Sequence, residues 1–246
     1  EIAQSEASTN KKFANYWFAT GTPTFLVNQI KDEHRAAVEF EQKIVGEPFF
    51  DKFELENLDI FSLLFQTGYL TIKKFEERLS RYTLSYPNQE VKTSFIHSLL
   101  EGLSYKVTSD TSEAIWNLKD ALNQKNLELF IKTLKSLFAS IPYDLFVKDR
   151  EAYYHSIIYL ALSLLGIDIQ AEIHTNLGSL DAVIETKDRV YILEFKLGKA
   201  QAAMMQIKEK KYFEKYLSKA KEIVLLGIGF NTAERNIDKW LAEKIV

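Results

Sequence analysis

The stretch GSLDAVIETKDRVYILEFK, from Gly178 to Lys196, decides the fold. Val183-Ile184 and Val190 to Leu193 have the composition of strands, and Lys187-Asp188 between them is the natural turn. If the turn takes only those two residues, Thr186 pairs with Arg189, and counting back sets Asp181 opposite Glu194. Residues directly opposite in an antiparallel pair have Cβ atoms about 4.5–5.5 Å apart. Two carboxylates that close repel unless something positive sits between them. Lys196 lies two residues past Glu194 and shares its face, while Phe195 points to the other. The rest of both strands is mostly apolar on both faces, as in a sheet covered on two sides. The charges therefore stand at the mouth of a buried sheet, where a metal ion and a phosphate would be handled.

Asp181 and Glu194 are oxygen ligands of the kind that Mg²⁺ or Mn²⁺ prefers, and the backbone carbonyl of Phe195 can complete the set. Such an ion polarises a phosphodiester and lowers the pKa of a bound water. Lys196 beside it can orient that water and neutralise charge in the transition state. The bland alternative is a surface aspartate with a Glu–Lys pair at a strand end. Glu151 and His155, four apart, share one helix face and can supply a further metal ligand or a phosphate contact. A histidine on an apolar helix is, however, more often half-buried. Gln206 and Lys210 have the same spacing and can touch substrate, or can form a solvent-facing polar stripe. Glu172 and His174 sit on the preceding strand and weigh less.

Working outward, the hairpin is the centre of a regular alternation. REAYYHSIIYLALSLLG reads as an apolar helix stopped by Gly166, and IDIQAEIHT as a strand. After the hairpin, Gly198 to Leu217 reads as a long helix, EIVLLGIGF as a strand, and TAERNIDKWLAEKIV as a closing helix capped at Thr232. The order αβββαβα over residues 149–246 defines an α/β sandwich with its own core.

The chain before it is mostly helical. Residues 106–148 hold a helical hairpin, TSEAIWNLKDALNQ and LELFIKTLKSLFAS, split near Lys125-Asn126. In residues 46–105, LENLDIFSLLFQTG is a helix, YLTIKKF and RYTLSYP are a β-hairpin, and Asn88 caps a helix from Glu90 to Leu103. Helix, hairpin, helix at this size suggests a winged-helix-like module. Lys73, Lys74, Arg78 and Arg81 would give it a DNA-binding surface. Glu76 and Glu77 interrupt that run and no helix in it is basic, which favours a packing module with solvated charges. In residues 1–45, Thr22-Pro23 opens a further helix through Phe25, Leu26 and Ile30, and 32–47 reads as a linker or a short element.

The composition narrows the class. At 46% hydrophobic and 26% charged, the 246-residue chain is globular. A net charge of −3 carries no global basic signature, so nucleic-acid contacts must be local. The absence of Cys excludes disulfides and thiolate metal sites and fits a reducing, cytoplasmic compartment. No signal peptide or apolar run of membrane length is visible. No G-x-x-x-x-G-K-[ST] phosphate loop occurs. A first residue of Glu rather than Met predicts a fragment of a longer protein.

With these residues in place, the hairpin resembles the core of the PD-(D/E)xK nuclease superfamily, Asp181 standing as the first acid and Glu194-Phe195-Lys196 as the E-x-K. The resemblance covers roughly residues 149–246 and implies a restriction-endonuclease-like sandwich, a divalent metal, and a nucleic acid, DNA foremost, as substrate. YWFATGTPTFL (Tyr16 to Leu26), LLFQTGYLTI (Leu63 to Ile72), YYHSIIYLAL (Tyr153 to Leu162), YILEFK and QIKEKKY (Gln206 to Tyr212) widen it. They resemble the C-terminal portion of bacterial proteins that join an AAA-ATPase-like domain to such a nuclease domain. That implies an ATPase-like partner domain upstream, with residues 1–45 as its end. Those relatives usually read GR-x-D before the first acid, where this chain has Gly178-Ser179-Leu180-Asp181 and so lacks one phosphate contact. Three functions are expected in descending order: a metal-dependent nuclease, a non-catalytic nucleic-acid-binding module, and an assembly domain for the ATPase-like part.

Overall fold

The computed structural model describes residue 40 and residues 42–50, 59–104, 108–141, 151–166, 168–175 and 178–245. For 103–104, 108–110, 151–153, 168–175 and 178–180 it describes the backbone alone. The helix expected after Thr22-Pro23 lies outside the described residues.

The helix–hairpin–helix order is present. Helix α1 (Ile60–Gln66) is followed by Gly68, whose φ of +80° is the left-handed conformation that lets the chain leave a helix. Strands β2 (Thr71–Glu76) and β3 (Arg81–Ser85) form the hairpin, and α2 (Gln89–Ser104) follows. Asn88 Oδ1 accepts from the Val91 N–H at 2.8 Å, capping α2 as its side chain predicts. A third strand, β1 (Lys43–Gly46), falls in the stretch read as a linker or a short element and adds to the hairpin in the order β1-β3-β2, antiparallel throughout. Helices α3 (Thr108–Asn123) and α4 (Leu127–Ala139) are separated where expected, with Asn126 Oδ1 accepting from Leu129 N–H at 3.0 Å.

The larger sheet holds β4 (Asp168–Thr175), β5 (Gly178–Glu185), β6 (Arg189–Leu197), β7 (Glu222–Asn231) and β8 (Asn236–Lys244), in that spatial order. β6 and β7 run parallel, joined through α6 (Ala200–Glu209), and the other pairs are antiparallel. Alternation along β6 sends Tyr191, Leu193 and Phe195 to one face and Val190, Ile192 and Glu194 to the other. The first face packs under α5 (Glu151–Ser163) in an apolar core that runs continuously from Phe40 to Ile237. The second packs against α6 through Met204 and Ile207, with Tyr212 and Tyr216 beyond its end. Among the described residues no helix is long and apolar enough to cross a membrane.

Two expectations are corrected. The helix expected from Gly198 to Leu217 ends at Glu209. Lys211 takes φ +49°, with Lys211 N–H bonded to Lys208 O and Tyr212 N–H to Ile207 O. This is a Schellman stop with Lys where Gly is usual. The closing helix read from TAERNIDKWLAEKIV is instead β8, the strand that pairs with the outer side of β7. Its register slips between Ile228↔Trp240 and Phe230↔Ile237, so Asp238-Lys239 bulge opposite Gly229. The bulge puts Ile237 and Trp240, three apart, against one core, and that spacing is what reads as helical.

Candidate active site

The turn that sets the register forms as counted: Thr186 N–H donates to Arg189 O at 2.8 Å across Lys187-Asp188. The β5–β6 ladder then runs Glu185↔Val190, Ile184↔Tyr191, Val183↔Ile192 and Ala182↔Leu193. The next step is Asp181 beside Glu194, and there the ladder stops. In its place Asp181 Oδ2 accepts from the Phe195 N–H at 2.7 Å, so a carboxylate fills the gap between parting strands. A strand residue's carbonyl points to the same side as its N–H, which turns the Phe195 oxygen toward Asp181 as well.

Glu194 is the buried member, 1% exposed, and Lys196 Nζ lies 3.4 Å from its Oε1. Neither carboxylate oxygen of Glu194 makes a well-aligned hydrogen bond, and the donors that face it are the Lys196 ammonium and the backbone of Asp181. Burial pushes its carboxyl up to about 7, the nearby Asp181 charge adds to the rise, and Lys196 opposes it. Asp181 is also met from the opposite layer: His155 Nδ1, on α5, is 3.6 Å from its Oδ1, and the His155 ring packs on Phe195.

The dryness of Glu194 has a cause on the neighbouring strand. Glu194 and Lys196 stand beside Gly227 and Gly229 of β7. A Cβ on Gly227 would lie 2.8 Å from Ala200 O, and one on Gly229 would lie 2.3 Å from Gly198 O. Without those side chains, the first turns of α6 rest directly on the sheet and shut water out beside Glu194. The sequence shows G-x-G but gives it no partner, and it reads as a strand end.

Of the other expected site residues, Gln206 is brought close and Lys210 is not. Gln206 hydrogen-bonds the hydroxyl of Tyr212. Burial pushes the Tyr212 phenol up, the Gln206 bond opposes this, and the charges of Glu194 and Asp181 add to the rise, which places this tyrosine in the field of the site. Tyr212 is a residue that sequence reasoning missed: a helix continued through it would turn it away from Gln206, and only the stop at Lys211 folds it back. Lys210 is exposed at the end of α6, and no described contact joins it to the three charges. Glu151 opens α5 one turn before His155, but its side chain lies outside the described residues, as do those of Glu172 and His174.

The donor set suits a small hard cation. A buried carboxylate is costly, and a single ammonium at 3.4 Å offsets part of that cost. Among the described residues no group of three or more acids or histidines gathers to hold a metal.

Residues 149–240 match the model of the PD-(D/E)XK nuclease superfamily. The mixed α/β architecture, with its hairpin between α5 and α6, is consistent with a restriction-endonuclease-like fold. An uncharacterized protein encoded in the vnfD 5′ region of Azotobacter chroococcum mcd 1 is 33% identical over 245 residues, covering 96% of this chain and 47% of that protein. The chain thus spans about half the length of this curated relative. No solved structure matches.

Proposed function

We propose that residues 149–246 hydrolyse phosphodiester bonds in nucleic acid, DNA foremost, with a divalent ion at Asp181 and Glu194. The observation that carries this reading is the pair at the parting of β5 and β6: a fixed Asp181 beside a buried Glu194, with the Lys196 ammonium on the same face 3.4 Å away. Asp181, Glu194 and the Phe195 carbonyl would hold Mg²⁺ or Mn²⁺, which supplies polarisation of the scissile phosphate and acidification of water. The Phe195 N–H holds Asp181 in place. Burial raises the cost of the Glu194 charge, which Lys196 offsets only in part, and a divalent ion held there would lower that cost further. The Lys196 ammonium then orients the attacking water and offsets charge building on the phosphate. His155 behind Asp181 and the Gln206–Tyr212 pair flank the substrate, and Lys210 meets it further out. An ATPase-like domain of the same protein would couple to this activity. Residues 46–105 as a winged-helix-like module, 106–148 as its helical connector and 1–45 as the ATPase-like end complete that organisation.

The test is nicking of plasmid or single-stranded DNA with Mg²⁺ or Mn²⁺ by the chain, beside Asp181→Ala and Glu194→Ala. Metal-dependent cutting lost in both variants is the expected result, and equal activity in all three refutes it. The second reading, a module that binds without cutting, is favoured by the missing arginine before Asp181. It predicts DNA binding indifferent to metal and to Asp181→Ala.

A further inference from the structure

Away from the hairpin mouth, a cleft of about 310 Å³ lies between the β2–β3 hairpin and the first turns of α2. Its described lining is mostly polar: Gln42, Lys73, Ser85, Asn88, Gln89 and Lys92, with Tyr86 beside them. Two of these are cations, and none of the described lining residues is a carboxylate. Lys73 falls at the register shift of β2, where pairing passes from Ile72↔Leu84 to Lys74↔Thr83, so it stands outside the ladder. Its Nζ donates to Pro87 O at 2.8 Å, which uses one of three N–H groups and fixes the ammonium over the cleft. The neighbouring amides are fixed too, Asn88 by Val91 N–H and Gln89 by Thr93. Lys74, Arg78 and Arg81 add positive charge along the exposed hairpin, with Glu76 and Glu77 between them.

We propose that this cleft holds a backbone phosphate of the DNA duplex on which the Asp181 site acts; the choice of DNA rests on the function proposed above. Phosphate oxygens are met by Lys together with short hydroxyl and amide side chains, which is the donor set assembled here. In a chain of net charge −3, attraction for a polyanion has to be local, and this cleft with its hairpin is such a place. The contact carries no base information, so it anchors the duplex rather than selecting a sequence.

The experiment is fluorescence anisotropy of a labelled DNA duplex with the full chain in EDTA, over a range of salt. Lys73→Gln with Lys92→Gln should weaken binding about tenfold and lower the slope of log K against log salt by about 1 to 2. Ser85→Asp, which keeps both lysines but puts an anion into the cleft, should weaken binding as well. Lys119→Glu with Lys132→Glu, on the exposed faces of α3 and α4, changes net charge elsewhere and should leave affinity within about twofold. Thermal melting of each variant establishes that it is folded. Absence of duplex binding by the unaltered chain, unchanged affinity in the cleft variants, or an equal loss in the α3–α4 control overturns the proposal. Asp181→Asn separates it from the nuclease reading: cutting fails in that variant, while duplex binding and its loss through the cleft substitutions persist.

Discussion

Replacing Glu194 by Gln should make the metal-free protein more stable at alkaline pH. Glu194 is 1% exposed, has only Lys196 as a cationic neighbour among the described residues, 3.4 Å away, and has its carboxyl raised from 4.5 to about 7. A raised carboxyl favours folding while it is protonated. Its contribution is whole below the unfolded-state value near 4.5 and is lost as pH climbs through about 7. Above that, the ionised group costs the fold about 3 kcal/mol relative to a neutral one. Gln has the same shape and no charge, so its stability should stay level across the window. Urea denaturation in EDTA, followed by tryptophan fluorescence, should show Glu194→Gln and wild type nearly equal at about pH 5, and Glu194→Gln ahead by about 2–3 kcal/mol at about pH 8. Because Asp181 is the second cause of the rise, the gain should shrink in an Asp181→Asn background. Saturating Mg²⁺ or Mn²⁺ should close the gap by stabilising wild type alone. Equal stabilities at about pH 8 in EDTA would refute the account of Glu194 as a buried charge that Lys196 only partly offsets.

Two further substitutions probe the structure around the site. Gly229→Ala puts a Cβ 2.3 Å from Gly198 O and 2.6 Å from Ala200 N, both backbone atoms, and should lower stability by about 1–3 kcal/mol in urea; an unchanged midpoint would mean that α6 does not press on β7. Lys211→Gly removes a side chain from a left-handed position at φ +49° and should stabilise the fold by about 1 kcal/mol and raise the melting temperature, whereas a continued α6 would make Gly cost about 1 kcal/mol and lower it.

The hairpin was legible because two short-range rules suffice for it: strand alternation and a two-residue turn fix the register, and the register places Asp181 beside Glu194. The cap at Asn88, the stop at Gly68 and the break at Lys125-Asn126 were legible for the same reason, since each depends on side chains within one turn. The end of α6 was hidden because Lys211 occupies a conformation that sequence reading assigns to Gly or Asn. Strand β8 was hidden because its bulge at Asp238-Lys239 turns a period of two into a spacing of three. The edge of β7 decides that element, and no local pattern records it. Tyr212 followed α6 into error, since its place near Glu194 exists only if the helix stops.

The most consequential part of the site is the one furthest from the motif. An E-x-K on a strand says nothing about hydration, and an exposed Glu194 would keep its ordinary carboxyl and its affinity for water. What removes the water is α6 lying on bare backbone at Gly227 and Gly229, beside Glu194 and Lys196 on the next strand. A side chain at either glycine would lever the helix outward and rehydrate the carboxylate, relaxing its raised proton affinity and weakening its demand for a cation. Gly229→Ala should therefore flatten the pH dependence described for Glu194 even where the fold survives. Packing on β7 and cation binding on β6 are one property of the sheet, and a loss of stability without that flattening would separate them.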